Sequence, residues 1–284
     1  MQIGNAPCSW GVFYPTGNRI TAEGYLDAVA RAGYQHTELG PLGFLGEDPG
    51  WIADALACRG LTLAGAAHVH TLADPAGEDT LTANLHRLGR LLSALESRDL
   101  ILMDESEIYP ISAQGVVDEA GWQSAMTLIR HAHTLLRDTY GITLHLHPHV
   151  GTCIEREAQI DRALTETEVS LCLDTGHHAF WDQDVLAYMA KVWHRIGFIH
   201  LKNVNPTVRA QVLSSQLGVN ASFDHGVMCA LPDGVVDIPA VLRLIAAKGF
   251  TGPVIVEQDP SRDATETPEA LARRNLAFLK DALP

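Results

Sequence analysis

Positive charge, paired cysteines and long apolar runs are what this sequence lacks, and each shortage closes off a class of protein. Lys and Arg number 20 against 34 Asp and Glu, a formal net charge of −14. Duplex affinity comes largely from basic side chains that neutralise phosphates, so this balance disfavours a nucleic-acid partner. The five cysteines (Cys8, Cys58, Cys153, Cys172 and Cys229) are odd in number and form no CxxC pair. That pattern suits neither a disulfide framework nor a thiolate zinc site, but free thiols in a reducing compartment. No apolar run reaches the roughly 20 residues that span a bilayer. The opening MQIGNAPCSWG has no basic segment followed by an apolar core, so it does not read as a secretory signal. A cytoplasmic protein with no membrane partner is the expectation.

What is present is ample material for a core: 46% apolar residues against 19% charged, over 284 residues. Short apolar runs alternate with longer amphipathic stretches. The candidate strands are QIGNAPC, QHTELG, LTLAGAAH, DLILMD, GITLHLHP, VSLCLDTG, IGFIHLKNV and GPVIVEQD. Candidate helices lie at 21–32, 51–58, 80–97, 120–137, 156–165, 185–193, 237–247 and 268–282. Thr21 is placed to cap the first of them, and Gly33 to stop it. Strands alternating with helices imply parallel pairing through βαβ units. About eight such units in one chain of this length predict a single (β/α)8 TIM barrel domain over residues 1–284. An open doubly wound sheet is the structural alternative. It usually carries a Gly-rich phosphate loop after its first strand, whereas CSWGVFYPTGN contains neither GxGxxG nor a Walker A pattern. The longest irregular stretch, 203–236, has the length of a lid or binding loop.

In such a barrel the chemistry sits where strands end. Glu38 ends the second strand, His68 and His70 the third, and Asp104 the fourth. His147 and His149 end the fifth, Asp174 the sixth with His177 just beyond, His200 and Lys202 the seventh, and Glu257 and Asp259 the eighth. Each alone has an ordinary structural explanation. Asp174 in LDTGH could cap a helix, Glu38 could sit in a salt bridge, and His70, His149 and His178 could lie outside the reacting centre. The set is harder to dismiss, because every strand from the fifth to the eighth ends in a residue able to bind a metal. Imidazole mixed with carboxylate suits Mn²⁺, Co²⁺, Zn²⁺ or Fe²⁺ better than Ca²⁺.

The motifs LCLDTGHHAF, FIHLKNVNP and VIVEQD resemble the sixth-, seventh- and eighth-strand motifs of the xylose isomerase-like TIM barrels. The resemblance covers nearly the whole chain, including LPDGVVDIPAVLRLI before the last strand. It implies a metal held by a strand-five carboxylate, a strand-six Asp, a strand-seven His and a strand-eight Glu. The last three correspond to Asp174, His200 and Glu257. At the first position many members have Glu, but HLHPHVGT places His147 there. In the isomerases and epimerases of the superfamily that Glu is also the catalytic base, so its absence points elsewhere. HPHVGT followed by Glu155, the opening NAPCSWG and the TELGPLGF segment around Glu38 are similar to the inosose dehydratase branch.

What that resemblance implies is a metal-dependent lyase that dehydrates a cyclic keto-polyol such as 2-keto-myo-inositol. The divalent metal is Mn or Co foremost, with Zn or Mg as alternatives. The metal ligands would be His147, Asp174, His200 and Glu257. Glu155, Lys202 and His68 would be the acid and base candidates, and Glu38, His177 and Trp10 the substrate contacts. A core role competes for Trp10. A homo-oligomer is a fair expectation from the relatives. Three other readings stand beside this one. A sugar isomerase or epimerase would share the metal site. An abasic-site endonuclease would need a basic groove and further ligands, such as His68, Glu38 and His225. A non-catalytic sugar-binding barrel would keep the fold without the chemistry.

Overall fold

The alternation of strand and helix closes on itself. In the computed structural model, which describes residues 1–105, 117–262 and 264–283, eight parallel strands form a closed barrel. In chain order they are β1 (Gln2–Asn5), β2 (His36–Glu38), β3 (Thr62–His70), β4 (Asp99–Asp104), β5 (Thr143–Leu146), β6 (Ser170–Asp174) and β7 (Ile196–Leu201). The eighth is β10 (Pro253–Val256), which pairs with both β7 and β1. Between β7 and β10 a small antiparallel ribbon intervenes, made of β8 (Asn203–Val204) and β9 (Met228–Cys229).

The principal helices are α1 (Ala22–Ala32), α2 (Pro49–Ala57), α3 (Glu78–Ala94), α4 (Glu119–Tyr140) and α5 (Glu157–Glu166). They are followed by α6 (Thr175–Phe180), α7 (Val185–Val192), α8 (Pro206–Leu213), α9 (Val219–Asp224), α10 (Ile238–Ala247) and α11 (Pro268–Ala282). The Thr21 hydroxyl accepts from Gly24 N, and Gly33 closes α1 in the left-handed conformation at φ 99°. Among the described residues no helix is long and apolar enough to cross a membrane.

The structure departs from the sequence expectation in two places that shape the site. The sixth strand ends at Asp174, two residues early, because the Asp174 carboxylate accepts from Gly176 N and His177 N and starts α6 there. The segment 203–236 is not a plain loop. It holds the ribbon, α8 and α9, with α8 started by Asn205 as cap and Pro206 at its first turn. These pieces are too short to show a hydrophobic period.

Two apolar layers meet at the strands. Inside the barrel, Ala6, Ala64, Ile101, Cys172, Phe198 and Ile255 fill the lumen. Outside it, residues such as Leu100, Leu102, Leu144, Leu146, Leu171 and Leu173 pack with the helices. Alternate residues therefore face lumen and helix layer, as a pleated strand requires. β3 breaks the alternation. The register between β2 and β3 shifts, so that Thr37 pairs with Leu63 but Glu38 with Gly65. Ala64 faces the lumen before the bulge, and after it Ala67, paired with Ile101, does. Gly65 is required at the bulge, since a Cβ there would lie 2.8 Å from the Asp99 carbonyl oxygen.

Candidate metal centre

The mouth of the barrel inherits this parity. His147 follows β5 one step beyond Leu146. Asp174 ends β6, His200 lies in β7 with Lys202 two residues on, and Glu257 follows β10. All five side chains are buried. One ligand atom from each of His147, Asp174, His200 and Glu257 lies within 4.8 Å of the others. His147 Nε2 stands 3.7 Å from Asp174 Oδ2, and His200 Nδ1 stands 3.4 Å from Glu257 Oε2. The other ring nitrogen of His200, Nε2, is 2.7 Å from Glu38 Oε1 on the opposite wall. A carboxylate on one nitrogen of an imidazole fixes the ring and leaves the second nitrogen turned toward a metal.

The donors present fit a divalent cation. Both nitrogens of His147, Oδ2 of Asp174 and Nδ1 of His200 are buried with no hydrogen-bond partner. Each such orphan costs about 1–3 kcal/mol of desolvation, and one donor atom each from His147, Asp174 and His200 converges where a single cation would satisfy them together. Two imidazoles and two carboxylates form a donor set of the kind first-row divalent metals take. Among the described residues no other separate group of three or more such ligands converges.

Lys202 reaches across this group. Its Nζ lies 3.1 Å from Glu257 Oε2, 3.1 Å from Asp259 Oδ2, 3.6 Å from Asp174 Oδ2 and 3.1 Å from His177 Nε2. The stem has room because residue 176 is glycine: a Cβ there would come within 2.7 Å of Lys202 Cβ and Cγ. Burial works to lower the Lys202 pKa, but Asp259, Glu257 and Asp174 outweigh it and hold the ammonium well above the usual range. Burial likewise opposes ionisation of Glu257, yet His200 and Lys202 bring its carboxyl down to about 2. His177 packs on His149 at 3.9 Å between ring centroids. Burial, together with His147 and Lys202, takes His149 down to about 3, and burial also holds His177 well below the usual histidine value. Both rings are therefore neutral at neutral pH.

The structure thus brings together His147, Asp174, His200, Glu257, Lys202, His177 and Glu38. It does not bring Trp10, His68 or Glu155 into that group. Trp10 is a core residue: its Nε1 donates to Asn5 Oδ1 at 2.7 Å and its ring meets Tyr25 edge-on. His68 is turned to the helix side by the β3 bulge. Its register partner is Leu102 of the outer layer. It stacks against His70, which in turn faces Gly77 just before α3. Glu155 stands behind the centre, sharing a small cavity with Asp174 and His178. Its Oε2 accepts from Gly151 N and Trp181 Nε1, which pins the 149–155 turn. Burial raises its carboxyl above the usual value. Glu38 is engaged by His200, so its proposed contact with substrate is replaced in this structure by an orienting bond.

Three participants were given no role from sequence: Asp259 as the partner of Lys202, His149 as the ring beside His177, and Cys172 beneath the cluster. The period-two rule had the means to find two of them. Asp259 is two residues past Glu257, and Cys172 two before Asp174, so each shares its neighbour's face.

A parallel eight-stranded barrel with imidazole, carboxylate and ammonium groups converging at the carboxyl ends of its last strands is the architecture of a TIM-barrel enzyme. Residues 26–282 match the family profile described as xylose isomerase-like TIM barrel, and the chain belongs to that family. The chain is similar to the inosose dehydratase of Geobacillus thermodenitrificans, with 28% identity over 274 residues covering 92% of this chain and 91% of that one. Among solved structures it resembles the IolI protein, determined with a bound zinc atom, at TM-score 0.77 and 14% identity over 100% and 98% of the two chains. It also resembles an L-ribulose 3-epimerase, at TM-score 0.73 and 17% identity over 99% and 94%.

Proposed function

We propose that this protein is a metal-dependent hydro-lyase that dehydrates a cyclic keto-polyol, 2-keto-myo-inositol being the first candidate. The observation that carries the reading is the convergence of one ligand atom each from His147, Asp174, His200 and Glu257, with the buried Lys202 ammonium beside them. The similarity to inosose dehydratases along nearly the whole chain supports the substrate class. His147, Asp174, His200 and Glu257 would hold the metal, Mn²⁺ or Co²⁺ foremost from the resemblance to the inosose dehydratases, with Zn²⁺ the ion named for the IolI neighbour. When bound, the cation supplies Lewis acidity toward a substrate carbonyl.

The chain's own residues supply the rest. Glu38 holds the His200 ring so that Nδ1 faces inward. Asp259 and His177 position the Lys202 ammonium. Lys202 protonates the departing β-hydroxyl, which leaves as water once the proton next to the ketone has been removed. We assign receipt of that proton to the neutral His177 and His149 rings, which pack on one another. Loss of H and OH from adjacent carbons leaves an enol-dione whose conjugation absorbs in the ultraviolet.

A sugar isomerase or epimerase on the same fold is the second reading, favoured by the epimerase neighbour's shared architecture. Residue 147 is imidazole and not carboxylate, which removes the base that reading needs. The deciding experiment is an ultraviolet assay with 2-keto-myo-inositol on chelator-stripped protein, before and after Mn²⁺ or Co²⁺. Metal-dependent growth of absorbance with loss of one water in the product mass is the expected result. Product of unchanged mass would hand the site to the isomerase reading. No turnover of keto-polyols by the metal-loaded protein would favour a binding barrel.

A further inference from the structure

Directly below the four candidate ligands, the lumen contains a thiol that the proposed chemistry does not use. Cys172 precedes Asp174 by two residues on β6 and therefore points into the barrel on the same side. Its Sγ lies within 4.8 Å of a ring nitrogen of His147 and of one of His200, and all three residues are fully buried. The same two histidines belong to the upper set with Asp174 and Glu257. Both ring nitrogens of His147 lack a hydrogen-bond partner, so no protein hydrogen bond competes with a metal for this ring. Under the thiol the lumen is closed by Ala6, Ile101, Phe198 and Ile255, which offer no competing donor.

We infer that the barrel holds a second, overlapping set of metal ligands, His147, Cys172 and His200, which captures thiophilic divalent cations such as Cd²⁺ one layer below the carboxylates. The inference rests on the proposed metal site and adds a ligand to it. Hard cations such as Mg²⁺ and Mn²⁺ stay with the upper set because they prefer oxygen, whereas softer ions gain a sulfur donor by settling deeper. Binding in the lower set replaces the thiol S–H bond by a metal–sulfur bond and releases one proton to the buffer. No electron transfer is involved. The consequence is that the choice of metal also sets its depth in the mouth. A thiophilic ion is drawn away from the substrate side, so Cd²⁺ binds tightly without supporting turnover as Mn²⁺ does.

The test is absorption spectroscopy of the whole protein, stripped and reloaded with Cd²⁺, with metal content measured in parallel. The expected result is a thiolate-to-metal charge-transfer band in the wild-type protein that is absent with Mn²⁺. In Cys172→Ser the band disappears, and Cd²⁺ affinity falls by about tenfold or more, since losing a ligand should cost at least what losing an outer hydrogen-bond partner does. Mn²⁺ affinity in that variant stays within about twofold. Stoichiometric Cd²⁺ without a sulfur band in the wild-type protein overturns the lower set and leaves the upper one standing. Failure to bind any divalent metal overturns both. The wild-type spectrum decides the matter even where the variant does not fold.

Discussion

From β5 round to β10, every strand that reaches the mouth presents a side chain able to bind a metal or carry a proton: His147, Asp174, His200 with Lys202, and Glu257 with Asp259. From β1 round to β4 the residues at the corresponding positions are Cys8, Glu38, Val69 and Met103, of which only Glu38 is charged. Val69 is 43% exposed at the rim, and Met103 pairs with it across the β3–β4 ladder. One side of the mouth thus concentrates charge, and the facing side offers carbon. A ring that carries hydroxyls on its edge and C–H bonds on its faces can meet both at once. The one acidic residue on the apolar side reaches across to His200. The contrast teaches that the mouth is built as a charged wall facing an apolar one, and not as a ring of equivalent strand ends.

Substitutions on the two sides should separate accordingly. Asp174→Ala strikes the charged wall hardest. It removes a ligand and the cap of α6, and turnover should fall by about 10³-fold or more, in line with several kcal/mol of Lewis-acid stabilisation. Metal analysis should show less than one ion per chain. Lys202→Met is expected to cost about 10²-fold or more in kcat while metal content holds. Activity near wild type in that variant would remove Lys202 from proton transfer. Glu38→Gln asks whether the exception on the apolar side belongs to the charged wall. Equilibrium dialysis should give a metal affinity about 10–100-fold weaker, with KM little changed where metal saturates.

Met103→Ala addresses the apolar wall. Removing about 1 kcal/mol of apolar contact should raise KM about fivefold, with kcat and metal content untouched. A drop in kcat alone would break the division of labour between the two sides. The smallest effect on turnover belongs to His68→Gln, within about twofold, because the bulge turns this ring away from the mouth. Its signature lies in stability. Burial, with help from His70 and Arg87, lowers the His68 pKa from 6.5 to about 4. Between those values the unfolded chain binds a proton that the folded chain refuses, so stability is present above about 6.5 and is lost as pH falls toward 4. Replacing the ring removes this penalty, and acid unfolding followed by circular dichroism should shift to lower pH.

Much of this was legible before folding. The alternation of strand and helix announced the barrel, and strand ends rich in His, Asp, Glu and Lys announced its working face. Position alone put His147, Asp174, His200 and Glu257 at the mouth with the other strand-end residues, since the ends of parallel strands in a closed barrel converge whatever their long-range partners, and the family resemblance picked these four as a ligand set. His68 was misplaced for a physical reason. A period-two reading assumes an unbroken pleat, and one extra residue in β3 exchanges the two faces from that point on. Trp10 and Glu155 sit at plausible positions, but their polar atoms are claimed by Asn5 in one case and by Gly151 and Trp181 in the other.

The sequence by itself therefore determined the fold class and the residue types at the mouth, because both depend on local periodicity and on strand order. Only the tertiary structure decided which way β3 faces after its bulge. That choice depends on the pairing of Glu38 with Gly65 and on the close approach of Gly65 to Asp99, contacts between elements far apart in the chain. Likewise, only packing decided that Glu38 bonds His200, that Asp259 and His177 position Lys202, and that Cys172 lies under two imidazoles. Hydrogen bonds and ligand distances are set by side chains meeting across the barrel, and no spacing along the chain records them.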